Sequence, residues 1–386
     1  MPFSPGSIAD GVAHIDVAAP QSLPLLPTGP WLVVFWSQGF PVAQTWLDRV
    51  GEQPIDPARV IAELQFHTEP PRAPSQLPSA SVVICTRDRP GPLADVLNSL
   101  ARQSHRHREI IVVDNASSDG RTRAAAQAAG VTYVFEPRPG LDIARNTGAR
   151  SATSEIVAYT DDDVVLHDRW LERLCAAFDD EAVMAVTGLV LPAELATDAQ
   201  RQFERYWCFG RGYRRIDFGP AFFASDRTRG CHAWEIGAGA SMAFRRDCFS
   251  SVGMFDERLD VGAAGCSGDS EYWHRVLSRG FVCRYEPSAV AFHVHRRDAK
   301  ALQRQIFAYM RGHTAALLVQ FERTGNWGNI RRLALTLPYE YGRRVLRYLV
   351  VRGGARDATL SQEIAGCIAG VWYYLKTPRE RAGQTL

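Results

Sequence analysis

Between residues 81 and 160 the chain alternates short apolar runs with amphipathic segments, and this rhythm constrains its fold more than any other feature. The apolar runs cover Ser81 to Thr86, Ile110 to Asp114, Val131 to Phe135 and Glu155 to Thr160. Between them the spacing predicts helices from about Pro90 to Gln103, Arg121 to Ala129 and Leu141 to Ala152. Strands that alternate with helices in this way need crossover connections, which set the strands parallel and gather ligands at their carboxyl ends. The expectation is an α/β fold, a Rossmann-like, mostly parallel sheet with flanking helices.

The last of these strands runs straight into Asp161, Asp162 and Asp163. Carboxylates clustered at a buried strand end repel one another unless a positive partner sits there. Two acids one residue apart suit Mg²⁺ or Mn²⁺, which leaves coordination positions for water and phosphate. The alternative is an acidic turn capping a helix that starts near His167. Thr86, Arg87 and Asp88 follow the first strand, and Asp114 and Asn115 the second. Each alone is an ordinary turn former; together they load one sheet edge with polar groups.

Farther on, Gly237-Ala238-Gly239-Ala240-Ser241 feeds an apolar strand and permits either close backbone approach to a ligand or a simple tight turn. The Gly-rich loop from Gly262 to Gly268 ends in Asp269, which the helical spacing of Tyr272, Val276 and Leu277 sets in a first helical turn, where capping is the simplest role. After the strand-like Ala289 to Phe292, His293 and His295 share one side if the strand continues. Either suits a metal or an ordinary surface position.

A length of 386 residues, a net charge of +2 and 46% hydrophobic residues describe one large domain or two smaller ones, and give no support for a nucleic-acid partner. The eight cysteines are scattered without paired short spacing, which favours free thiols in a reducing cytoplasm. The N-terminus shows no basic segment followed by an apolar core, and the apolar run Ile364 to Leu375 is shorter than the roughly 20 residues that span a bilayer. Four regions are expected: a small β-rich module over 1–68, a Pro-rich linker over 69–79, the α/β domain over 80–300 and a helical region over 301–386. In the last, Arg331, Arg332, Arg343, Arg344, Arg347 and Arg352 interleave with leucines and tyrosines around Pro338. That stretch either packs over the α/β domain or makes peripheral contact with an anionic membrane surface.

In combination, residues 80 to 300 resemble the nucleotide-sugar glycosyltransferases of family 2 with the GT-A fold. Ser81-Val82-Val83-Ile84-Cys85-Thr86-Arg87 is similar to that family's opening strand, and Ile111-Val112-Val113-Asp114-Asn115-Ala116-Ser117-Ser118-Asp119-Gly120 to its second strand and loop. Gly140-Leu141-Asp142-Ile143-Ala144-Arg145-Asn146 resembles the segment preceding the metal-binding acids. The resemblance implies that Thr86, Arg87 and Asp114 face the nucleotide base, that Arg145 holds the base or pyrophosphate, and that Asp161 contacts the ribose. It assigns Asp163 and His293 to a Mn²⁺ or Mg²⁺ ion and Asp269 to the catalytic base. Gly268 departs from the family pattern, which carries glutamate there.

The implied activity is inverting, metal-dependent transfer from a nucleotide-diphosphate sugar, UDP-sugar foremost, to an acceptor saccharide or lipid-linked saccharide. A non-catalytic sugar-nucleotide binder on the same fold is the competing reading. A nucleotidyltransferase is another, but it requires a Gly-rich, Lys-containing loop that Cys85 to Pro90 lacks. The string Gln202-Phe203-Glu204-Arg205-Tyr206-Trp207 is similar to the Gln-x-x-Arg-Trp signature of processive synthases, but it precedes Asp269 whereas the signature follows the base, so the match is read as coincidental.

Overall fold

The computed structural model describes residues 6–18, 26, 29–48, 76–225, 229–351 and 354–377. The expected linker lies outside the described residues up to position 75, as does Arg352.

The alternating segment folds as parallel strands β5 (Ala80–Thr86), β6 (Arg108–Asn115), β7 (Thr132–Glu136) and β8 (Ile156–Asp161), linked by helices α1 (Pro90–Ala101), α2 (Arg121–Ala128) and α3 (Leu141–Ser151). Val82, Val83 and Ile84 are fully buried, as expected of a parallel strand covered on both faces. Register then aligns the strand ends: Thr86 pairs with Asp114, and Cys85 with Asp161. Beyond β8 the sheet becomes mixed. A short β9 (Val164–Leu166) comes next, and then β10 (Val183–Pro192), β11 (Ile216–Phe218), β12 (Ser241–Arg245) and β13 (Val282–His293). The order is β11-β13-β10-β12-β8-β5-β6-β7, with β12 antiparallel to both β8 and β10, and β10 parallel to β13.

The pairing of β9 with β13 fixes where the acidic turn lies. It sets His293 opposite Val164, so the turn that carries Asp161, Asp162 and Asp163 rests against the end of the last long strand.

At the N-terminus, β1 (Ile8–Ala9), β2 (Val12–Asp16), β3 (Trp31–Ser37) and β4 (Phe40–Leu47) make a separate sheet. It is anchored on the α/β domain by apolar burial: Val12, Leu32, Val34 and Trp36 join the main core, and Trp36 stacks on His167 and Phe292. The Trp36 indole N–H donates to His14 Nδ1 at 3.0 Å, and burial lowers the pKa of that imidazole to about 4.

Three further long helices line the site or flank it. They are α4 (Asp198–Trp207), α5 (Gly268–Ser278) and α6 (Ala299–Thr324). Thr197 and Gln200 form a reciprocal capping box on α4, and Asp298 caps α6. After Gly325, in the left-handed conformation, a short helix runs into a π-helical turn at Arg332–Thr336 and then α7 (Leu337–Val351). Pro338 has no N–H to bond back along the helix, and the widened turn before it accommodates that loss. The final helix, α8 (Leu360–Lys376), lies on α6 through Gly366 and Gly370, where any side chain would collide with the α6 backbone or Thr314.

Close approach also fixes α3. A Cβ on Gly148 would overlap the Val83 side chain and crowd Val113. Gly148→Leu is therefore expected to lower stability by about 1–3 kcal/mol through overpacking, read as a lower denaturation midpoint with an unchanged m-value.

Candidate active site

The strand ends open into a cleft of about 1640 Å³, lined by Thr86, Arg87, Asn115, Arg145, Asp161, Asp163, Asp269 and His293 together with residues of α6 and α7. Its floor is acidic. Asp162 is tied down by the Thr86 hydroxyl, which donates to it at 2.6 Å, and by Arg89 at 2.5 Å. Arg89 also reaches Asp163 at 3.2 Å, and Arg296 stands 3.8 Å from the same carboxylate. Burial alone would raise the Asp163 pKa, but the imidazolium form of His293 and the guanidinium groups of Arg89 and Arg296 outweigh it and hold the carboxyl below its usual range. Among the described residues Asp161 makes no such ion pair. Burial and the neighbouring Asp163 lift its pKa to about 7, despite Arg145.

His293 Nε2 faces Asp163 Oδ1 at 3.5 Å, and its Nδ1 lies 3.0 Å from His295 Nδ1. His295 Nε2 in turn lies 3.0 Å from Glu204 of α4. All of these side chains except Asp163 are less than a tenth exposed. In the tautomer in which His295 Nε2 donates to Glu204 and His293 Nδ1 donates to His295 Nδ1, the His293 Nε2 lone pair is aimed at a carboxylate oxygen. Burial lowers the His293 pKa to about 4, in keeping with a neutral ring. Two acceptors facing each other at that distance fit a divalent cation that binds one imidazole and one carboxylate and keeps its other positions for water and phosphate. Among the described residues no group of three or more His, Cys, Asp or Glu side chains forms a closed metal cage.

Asp269 sits in the first turn of α5. One carboxylate oxygen accepts from Gly239 N–H at 2.8 Å and the other from Ser270 N–H at 2.6 Å. Burial and Asp260 raise its pKa, against the pull of Arg145. Gly239 is required here: an added Cβ would stand 2.8 Å from Arg145 Nη2 and 3.0 Å from Asp269 Oδ2.

Two residues depart from their expected roles. The Asp114 carboxylate is not in the cleft wall; it is buried, accepting from Ser117 N–H at 3.2 Å and from the Tyr133 hydroxyl at 2.8 Å, while its neighbour Asn115 reaches the cleft. Arg145 does line the cleft, but its Nη1 is committed to Asp142 at 2.9 Å and Asp260 at 2.6 Å, so it acts first as an internal counter-ion.

The rim opposite the floor is basic. Arg332, at the start of the π-helical turn, lies over the Trp234 ring at 4.4 Å and donates toward His313 and His232 at 3.4 and 3.3 Å. Arg304, Arg343 and Arg344 border the same side.

Residues 81–248 match the model for glycosyl transferase family 2. Over that segment the chain is similar to the family 2 glycosyltransferases. It is 28% identical over 250 residues to the pre-mycofactocin glycosyltransferase of Mycobacterium tuberculosis, a match covering 63% of this chain and 48% of that protein. It is 25% identical over 239 residues to the glycosyltransferase AglE of Haloferax volcanii, covering 60% of this chain and 72% of the relative. Thus the chain spans only about half the length of the mycobacterial relative. Among solved structures, the mannosyltransferase PcManGT of Pyrobaculum calidifontis, in complex with GDP-Man and Mn²⁺, superposes with a TM-score of 0.52 at 19% identity, over 82% of this chain and 92% of that one. The fold is GT-A.

Against the family pattern, the reason for Gly268 is now visible. The Asp142 carboxyl group, from α3, fills the volume in which a side chain at 268 would begin, and its Oδ2 is buried without a hydrogen-bond partner among the described residues. Burial and Asp260 hold the Asp142 pKa well above the usual carboxylate range. An acid is thus present beside Asp269, delivered from a different element.

Glu204, His295, Asp260, Asp142 and Arg89 are the residues of this site that sequence reasoning did not assign. The shared side of His293 and His295 was a usable signal; the others owe their positions to contacts more than seventy residues distant in sequence.

Replacing Arg145 by methionine is expected to destabilise the protein by about 3–5 kcal/mol, because Asp142 and Asp260 would be left as buried acids without their cation. Denaturant unfolding measures this directly, and a loss under about 1 kcal/mol would contradict the counter-ion role.

Proposed function

We propose that this protein is an inverting, metal-dependent glycosyltransferase that moves a sugar from a nucleoside-diphosphate sugar to an acceptor hydroxyl. The observation that carries this reading is Asp269, a carboxylate of raised basicity held by two backbone N–H groups in the same cleft as the Asp161–Asp163 turn. A buried, oriented carboxylate suits a general base, which takes the proton from the acceptor hydroxyl as its oxygen attacks the anomeric carbon. A single displacement then inverts that centre, with the nucleoside diphosphate leaving on the opposite face.

The leaving diphosphate must be stabilised more in the transition state than in the ground state. Asp163 and His293 would hold a Mn²⁺ or Mg²⁺ ion, which supplies that charge stabilisation when bound. Arg89 and Thr86 keep the acidic turn in place through Asp162, and Asp161, with a pKa near 7, is suited to a hydrogen bond with a ribose hydroxyl. Arg87 stands at the cleft edge, in position to meet the base. The acceptor enters from the rim formed by Trp234, Arg332 and Tyr309.

Asp269→Asn is expected to preserve folding and sugar-nucleotide binding while lowering turnover about 100-fold or more. Near-normal turnover would leave Asp269 as a helix-capping residue only. Asp163→Ala should abolish the metal-dependent part of sugar-nucleotide affinity, measured by calorimetry with and without Mn²⁺. A panel of UDP-, GDP- and dTDP-sugars in a thermal-shift assay, beginning with UDP-sugars, identifies the base. A ligand at about 100 times its dissociation constant stabilises by about 2.7 kcal/mol.

A further inference from the structure

We propose that the outward face of α7 and α8 docks on an anionic lipid bilayer. On α7, Tyr339, Leu346, Leu349 and Val350 are 70, 63, 74 and 73% exposed. Their spacing lines one side of the helix. On α8, Ile368, Trp372 and Leu375 are 67, 60 and 69% exposed and recur at intervals of four and three residues. Single exposed apolar side chains are ordinary, but a stripe of them on each of two helices in contact marks a surface for interaction.

The stripes cannot turn inward, because the opposite faces are already engaged. Gly366 and Gly370 hold α8 against α6, while Arg344 binds Glu363 at 2.5 Å and Tyr341 donates to the same carboxylate at 3.2 Å. Charge selects the partner. Within α7, Arg344 is held inward by Glu363 and Asp357, whereas Arg343 is exposed and Arg347, though 3.3 Å from Asp357, is 58% exposed; on α8 the Lys376 ammonium lies 4.5 Å from the Trp372 ring. Aliphatic residues rimmed by tyrosine, tryptophan, arginine and lysine are the composition of a helix lying in the headgroup region of an anionic bilayer. No helix among the described residues is long and apolar enough to cross a membrane, so the contact is peripheral. Arg343, Arg344 and Arg347 also border the cleft, so docking would set its mouth at the headgroups. The docking face lies outside the acidic floor, so bilayer binding and sugar transfer can succeed or fail separately.

The test is co-sedimentation of the full chain with vesicles of phosphatidylcholine alone or with ~30 mol% phosphatidylglycerol. Binding should be ~10-fold tighter to the anionic vesicles and weaken as salt rises from ~0.1 to ~0.5 M. The paired substitution Leu346→Glu with Leu349→Glu, at exposed positions, should leave the melting temperature unchanged and reduce vesicle affinity at least ~10-fold. Phe135→Glu, at an exposed apolar residue on the edge strand β7, should not alter it. Absence of wild-type binding to anionic vesicles, or binding that survives the paired substitution, overturns the proposal. So does a dimer seen by light scattering that the same pair dissociates when no vesicle binding occurs, since the face would then belong to a second copy of the chain.

Discussion

The buried guanidinium of Arg145 is the interaction on which the arrangement of the site depends. Desolvating a cation and several carboxylates costs several kcal/mol per ion and is offset only where the charges meet in close, hydrogen-bonded geometry. Arg145 meets Asp142 and Asp260 directly and acts on Asp161 and Asp269 through space. Those acids come from α3, from the loop before α5, from the end of β8 and from α5 itself. A cation on one helix thereby fixes the relative position of the acidic turn and the proposed base. The glycine at 239 reflects the same constraint, since the backbone must pass close to both Arg145 and Asp269.

Much of the α/β half was legible because its signals are local. Continuous apolar β-branched runs, Pro90 at a helix start and acids just past strand ends all report the chemistry of neighbouring residues. Predicted and observed elements from β5 to β8 differ at their ends by one or two residues for this reason. The mixed half of the sheet was less legible. Whether β10 and β12 run parallel or antiparallel is decided by long connections whose return path leaves no periodic trace. Asp114 shows the corresponding limit for a site. Its place at a strand end was readable, but its commitment to Tyr133, nineteen positions away, was not.

The stretch Gln202 to Trp207 makes the same point from the other side. Its likeness to a synthase signature carried no information about this chain, yet Glu204 inside it anchors the His295–His293 pair, and Arg205 lies over the Trp46 ring at 4.3 Å. One helix thus braces the candidate metal ligand on one side and the N-terminal sheet on the other. The N-terminal module therefore contributes to the site through α4 even though none of its described residues lines the cleft. Its stacking on Phe292, one residue before His293, adds a second route for the same support.

The polarity of the cleft also bears on what it admits. A rim of arginines draws anions by focusing field lines between low-dielectric walls, whereas a floor of aspartates repels them at short range. An anion arriving alone is attracted to the mouth and rejected at the base. On the reading proposed above, a diphosphate accompanied by a divalent cation would suit both regions, with Asp163 and His293 to hold the cation and Arg87, Arg89 and Arg296 to meet the remaining negative charge. On that reading the two-sided electrostatics would suit a metal-complexed nucleotide better than free phosphate, and base selection would fall to Asn115 and to Arg87, which stands 3.8 Å from Asp88 at the cleft border.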